Sequence, residues 1–150
     1  MSQINTILDN VAALAPSYDS DVAISVRNVD QLKDTLQISD CPVRMLLVVD
    51  PDQYHEMAFV AMGKTAKVTW KIVDRLFIRE ATLGQGVAEW SDLLFTYTAS
   101  YIEQVRSHRG IDRQATIVDV SFRPEVMEWG DGHWAVVDAV LTIEEFLGSA

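Results

Sequence analysis

The chain has little cysteine, little positive charge and no long apolar run, and each shortage removes a class of protein. Cys41 is the one cysteine in 150 residues, so no internal disulfide can form and a reducing interior suits the chain. Lysine and arginine number 12 against 22 aspartates and glutamates, a formal net charge of −10. Binding a nucleic-acid backbone takes clustered cations to neutralise phosphates, and this balance argues against it. The same charge favours solubility and sets the sign of the long-range field. No stretch approaches the roughly 18 apolar residues of a membrane span. The first residues, MSQINTILDNVAALAPSYD, lack a basic segment and include Asp9, so no secretory leader is expected. These absences lead us to expect a soluble intracellular protein with no membrane contact.

Glycine is also scarce, seven in all, and two of the seven raise the question of a nucleotide. In TWKIVDRLFIREATLGQGVAEW, residues 69–90, a strand pattern passes through Gly84-Gln85-Gly86 into a helix pattern. A phosphate-binding loop needs Gly-Lys-Ser/Thr after its glycines, the lysine for phosphate charge and the hydroxyl for magnesium. Here Val87, Ala88 and Glu89 follow. Glu89 suits the helix dipole by itself and occupies the third glycine position of a dinucleotide fingerprint. We read the glycines as a corner and expect no cofactor.

Other chemistry-bearing residues are equally sparse. His55 and Glu56 beside Asp50 and Asp52 fit a solvated turn better than a metal site. Adjacent strand residues point to opposite faces, and no His-x-x-x-His spacing supports ligation. Cys41 precedes Pro42 at a strand entrance with no histidine near it in sequence, which favours an inert, half-buried thiol. His108 falls in a last helical turn, where a cation is favourable anyway. No serine lies in a Gly-x-Ser-x-Gly elbow. Asp119 and Asp138 interrupt apolar strands, and each is expected to face solvent or an interface. No catalytic constellation emerges, so the expectation is a protein that is not an enzyme.

What is present is a globular pattern, 49% hydrophobic and 23% charged, of a length for one domain over residues 1–150. Ile4, Ile7, Leu8, Val11 and Leu14 recur at helical spacing from a Ser2 cap to Pro16. A short strand is expected at Val22–Val26 and a helical turn near Asp30–Leu36. The run Val43, Met45, Leu46, Leu47, Val48, Val49 reads as a strand covered on both faces and closed by Asp50-Pro51. HEMAFVAMGKTAKVTWKIVDRLFIRE reads as two strands folded at Gly63-Lys64-Thr65. Alternation in the second puts Val68, Trp70, Ile72, Leu76 and Ile78 on one face, with Lys67, Thr69, Lys71, Arg75 and Arg79 on the other. That strand is long for a small domain, and a bend is expected near Asp74, the one charge on its apolar face.

From Val87 to His108 the stripe Val87, Trp90, Leu94, Tyr97, Tyr101, Val105 has helical period, with Gly110 placed to end it. QATIVDVSFRP and WAVVDAVLTIEEF read as strands, with a hairpin turning at Gly130-Asp131-Gly132 between them. The expected class is α+β, a mainly antiparallel β-sheet packed by an N-terminal helix and one long helix. Core packing should take most of Trp70, Trp90, Trp129 and Trp134. Trp129 is the exception: beside the turn and flanked by acids, it fits a protein contact.

In this order of elements the chain resembles the tail terminator proteins of long-tailed bacteriophages. The amphipathic first helix, the CPVRMLLVV strand and the long strand KVTWKIVDRLFIRE carry the likeness, followed by the glycine-containing loop. The helix VAEWSDLLFTYTASYIEQV and a terminal hairpin ending AVLTIEEF complete it, over roughly residues 1–147. The resemblance implies a hexameric ring of the chain with itself, bound to the major tail tube protein on one side and the head–tail connector or stopper protein on the other. It implies a place in the virion neck after assembly in the host cytoplasm, with DNA passing through the lumen without specific binding. The acidic balance suits such a lumen. Closed rings need unlike patches that meet, and the sequence offers two: Lys67, Lys71, Arg75 and Arg79 on a projecting strand, and an acidic terminal hairpin with Glu125, Glu128, Asp131, Glu144 and Glu145 beside Trp129. Another connector or tail-completion protein of the neck shares the outline. A small non-catalytic adaptor or chaperone dimer is the second reading, and a small-molecule enzyme the third.

Overall fold

A computed structural model of the chain describes residues 4–28, 36–47, 58–62, 65–81, 91–112, 115–130 and 132–147. Helix α1 spans Ile4–Ala12, followed by β1 at Ser25–Arg27, a single 3-10 turn at Ile38–Asp40 and β2 at Val43–Leu47. Strands β3 (Ala58–Met62) and β4 (Thr65–Glu80) come next, then helix α2 (Ser91–Ser107) and the strands β5 (Gly110–Asp112), β6 (Ala115–Trp129) and β7 (Gly132–Leu147). The seven strands form one sheet in the order β1-β2-β4-β7-β6-β5, with β3 also paired to β4. Every pairing is antiparallel except β1 with β2. The fold class is α+β with a mainly antiparallel sheet, as the alternation of patterns predicts.

Three long strands make the frame. β7 pairs with β4 from Glu80↔Trp134 to Ala66↔Leu147, and with β6 from Trp129↔Gly132 to Ala115↔Glu145. At about 3.3 Å per residue the 16 residues of β4 extend roughly 53 Å. β4 does not project: β7 covers one edge along its length, while β3 (at Thr65–Thr69) and β2 (at Val73–Phe77) share the other. The chain reverses from β6 to β7 at Gly130, whose φ of 62° is open to glycine and strained for other residues.

Helices α1 and α2 lie on one face. Ile7, Leu8 and Val11 of α1, with Leu94, Tyr97, Tyr101 and Val105 of α2, pack on Ile72, Leu76, Val137, Ala139, Leu141 and Ile143 of the central strands. Those α2 residues are part of the stripe that the helical spacing selects. The opposite face holds a second cluster of Val43, Met45, Phe77, Trp134 and Val136, against which Met127 and Trp129 pack. β2 is thus buried on both faces, as its apolar run around Arg44 predicts.

Local expectations shift in four places. The first strand lies at Ser25–Arg27 rather than Val22–Val26. The register slip of β4 falls between Phe77 and Arg79, while Asp74 pairs regularly with Leu46 and Ala139; the buried charge is matched by an arginine, so the strand has no need to bend away. Gly110 opens β5 instead of capping α2. The last strands and the hairpin are one continuous unit, β6 and β7, with a bulge between Ile117 and Asp119. Most of the helical turn expected near Asp30–Leu36, the Gly84-Gln85-Gly86 corner, Trp90, His55, Glu56 and Asp131 lie outside the described residues.

Candidate functional site

The polar face expected on β4 is divided by burial. Arg79 is exposed and Lys71 half-buried, but Arg75 keeps only 2% of its surface. Its Nε donates to Asp138 Oδ1 at 2.7 Å and its Nη2 to Asp138 Oδ2 at 2.9 Å, a forked pair between neighbouring strands. Asp138 is fully buried and does not face solvent. Alternation set Arg75 on the face opposite Ile72 and Leu76, but could not tell that its own face is also covered there. Lys67 Nζ stands 3.5 Å from Glu144 Oε1 of the same chain, each about one-third exposed. Such a pair is worth about 0–1 kcal/mol.

The acidic hairpin is divided in the same way. Glu145 is fully buried on the helix face and accepts a hydrogen bond from Trp70 Nε1 at 3.1 Å. Glu128 is exposed and Glu125 half-buried, with its Oε1 enclosed and lacking a partner among the described residues. Trp129 is not a free surface residue: its ring meets Phe77 edge-on at 5.4 Å and lies 5.9 Å from the Arg75 guanidinium. Trp129 O accepts from Trp134 Nε1 at 3.3 Å. Gly132 fits beneath that second ring, where an added Cβ would stand 3.0 Å from Trp134 Nε1. Lys67 and Glu144 are therefore paired within one subunit across β4 and β7, while Glu125 and Glu128 lie on β6, beyond β7.

A second ion pair, on the helix face, escaped the sequence reading. Arg44 of β2 donates through Nε to both carboxylate oxygens of Asp74 at 3.1 Å, and through Nη2 to Oδ2. Its Nη1 reaches Leu14 O at 2.6 Å and its Nη2 Val11 O at 3.2 Å, satisfying carbonyls at the end of α1. Tyr101 of α2 donates its hydroxyl to Asp74 Oδ2 at 2.6 Å. One buried group thus joins α1, β2, β4 and α2. Burial opposes the charge on Arg44, but the attraction and hydrogen bonding of Asp74 outweigh it, so its pKa is raised and it stays protonated. Burial first, and the Asp74 charge second, push the Tyr97 and Tyr101 phenols well above their ordinary value. No pattern marks Arg44 within CPVRMLLVV except that a lone cation interrupts an apolar strand opposite a lone anion.

The remaining reactive groups are quiet or exposed. Burial, then the Asp40 charge, push the half-buried Cys41 thiol up to about 11 against a smaller opposing effect of Arg27, so it carries little thiolate near neutral pH. Exposed His108 lies with Nδ1 2.9 Å from Gln104 O in the last turn of α2. A groove of about 500 Å³ at the Glu80 end of the sheet is lined by Leu36, Gln37, Ile38, Ser39, Gly132 and Trp134, with Glu80 the one ionisable group among the described lining residues. Among the described residues no group of three metal-ligating side chains converges, and no helix is long and apolar enough to cross a membrane. The outer face of α2 exposes Phe95 at 68% and Ile102 at 43%, seven residues apart and so on one side of the helix. Comparison with models of known protein families found no match, and comparison with curated proteins found no significant relative.

Proposed function

We propose that the chain is a structural protein of the neck of a long-tailed phage, forming a hexameric ring that caps the tail tube and joins it to the head connector. The observation that carries this reading is the order of elements: amphipathic helix, covered strand, long strand, long helix and terminal hairpin. That order is the outline of the tail terminator proteins, and the α+β class agrees with it. The ionisable groups in the core serve to fasten strands and helices to one another. Exposed Phe95 and Ile102 on α2 add an apolar surface of the kind that protein contacts use. The charge of −10 keeps a DNA-filled lumen from binding its cargo.

Disrupting the gene in the phage that encodes it tests this. Filled heads and tails are expected to accumulate unjoined, with tubes that lose their uniform length, and the wild-type gene supplied in trans restores infectious particles. Normal virions in its absence would overturn the reading.

A further inference from the structure

The long edge of β6 that faces away from β7 carries chemistry the ion pairs do not use. The Trp129↔Gly132 pair closes a two-residue turn, so each of these residues bonds the other's backbone. From there the odd-numbered residues back to Asp119 turn their N–H and C=O groups toward β7, and the even-numbered ones turn theirs outward. The bulge at Val118 reverses this parity, and before it Ile117 donates outward to Arg109 O at 3.0 Å. β5 covers only that first part of β6, at Ala115 and Thr116. Beyond it, no described strand pairs with the outward groups of Val120, Phe122, Val126 and Glu128. Pro124 sits midway in that row, where its missing N–H interrupts the edge without removing a bond to β7.

The opposite side of the sheet ends partly in β3, whose Ala58–Met62 carries no charge and no proline. Sheets blunt their edges with such residues, so β6 is partly guarded and β3 is not. Two unlike edges on opposite sides of one sheet are what a head-to-tail contact between identical subunits requires. We propose that the outer edge of β6 accepts the β3 edge of a second copy by strand addition, so that each sheet continues into the next subunit. The choice of a second copy as occupant rests on the ring reading above. Backbone hydrogen bonds supply this contact, and Pro124 limits it to short stretches on either side of itself, which keeps the free chain from stacking indefinitely.

Amide hydrogen exchange on the purified protein, from micromolar to millimolar concentration with mass measured by sedimentation, tests the contact. Val120, Phe122, Val126 and Glu128 should gain protection as the chain associates, while the odd amides facing β7 stay protected throughout. Glu128→Pro removes an outward donor from an exposed residue and should weaken association about fivefold or more. Pro124→Val restores a donor and should strengthen it by a similar factor. Association into sixes without protection of the even amides overturns the edge contact and leaves the ring standing. Protection of those amides in an assembly of another size upholds the edge contact and overturns the hexamer. A chain that stays monomeric at millimolar concentration, Pro124→Val included, overturns the edge contact.

Discussion

Asp74 and Arg75 are consecutive on β4 and point to opposite faces of the sheet, yet each is buried against a partner of opposite charge. Removing one member of a buried pair strands the other, at about 3–5 kcal/mol. Arg44→Met should therefore lower unfolding free energy by that amount in urea titration, because Asp74 loses its partner of opposite charge and the carbonyls of Val11 and Leu14 lose their donor. Tyr97 is a contrasting case, since its hydroxyl is fully enclosed and, with Arg44 near it, still makes no hydrogen bond of normal geometry. Tyr97→Phe is expected to hold or raise the melting temperature, as it removes an unsatisfied buried group. The two tyrosines also fix a pH dependence. Their phenols titrate higher in the folded chain than in the unfolded one, where the value is 10.0. The stability they contribute is complete below pH 10 and falls as pH rises beyond it, because only the unfolded chain then releases the protons. Melting temperatures from pH 8 to 12 should show that decline, and show less of it in Tyr97→Phe. The sequence displayed the lone charges at Arg44 and Asp74, but pairing them needs the register Arg44↔Leu76 and Leu46↔Asp74, which only the folded sheet supplies.

At the scale of elements, β4 separates what a periodic pattern tells from what it leaves out. Its alternation correctly sorted Ile72 and Leu76 from Lys71 and Arg75, and the helical stripe of α2 named four buried residues. Polar residues on the second face suggested a patch that meets a neighbouring subunit, but β2 and the end of the β6–β7 hairpin bring Met45, Val43 and Trp129 to that side. Arg75 and Arg79 consequently differ in kind. Arg75→Glu would set two buried carboxylates face to face and is expected to prevent folding at 37 °C, as circular dichroism would register. Arg79→Glu on the exposed end of the strand should change stability by no more than about 0.5 kcal/mol. Trp129 falls between these extremes. Its edge-on contact with Phe77 and its place over Arg75 predict a loss of about 1–3 kcal/mol on Trp129→Ala in urea titration. A smaller loss would return the ring to the role of a surface contact alone.

For the whole molecule, an α+β fold with a mainly antiparallel sheet packed by an N-terminal helix and one long helix is what the order of hydrophobic periods foretold; three long strands side by side and both helices on one face are what the folded chain adds. The location of a contact surface was less legible, because local sequence shows neither which carboxylates are already paired nor which backbone edges remain open. Lys67 with Glu144 and Arg75 with Asp138 satisfy each other inside one subunit, so attraction between basic and acidic patches is a weak basis for assembly. Apolar surface on α2 and the part of the β6 edge that no described strand pairs with are stronger ones. The central claim, a ring at the neck, is tested most directly by electron cryo-microscopy of intact virions from the phage that encodes the chain. Six copies around the tail axis, between the last ring of tube protein and the head connector, are expected. One or two copies at that position, or none, would contradict the account.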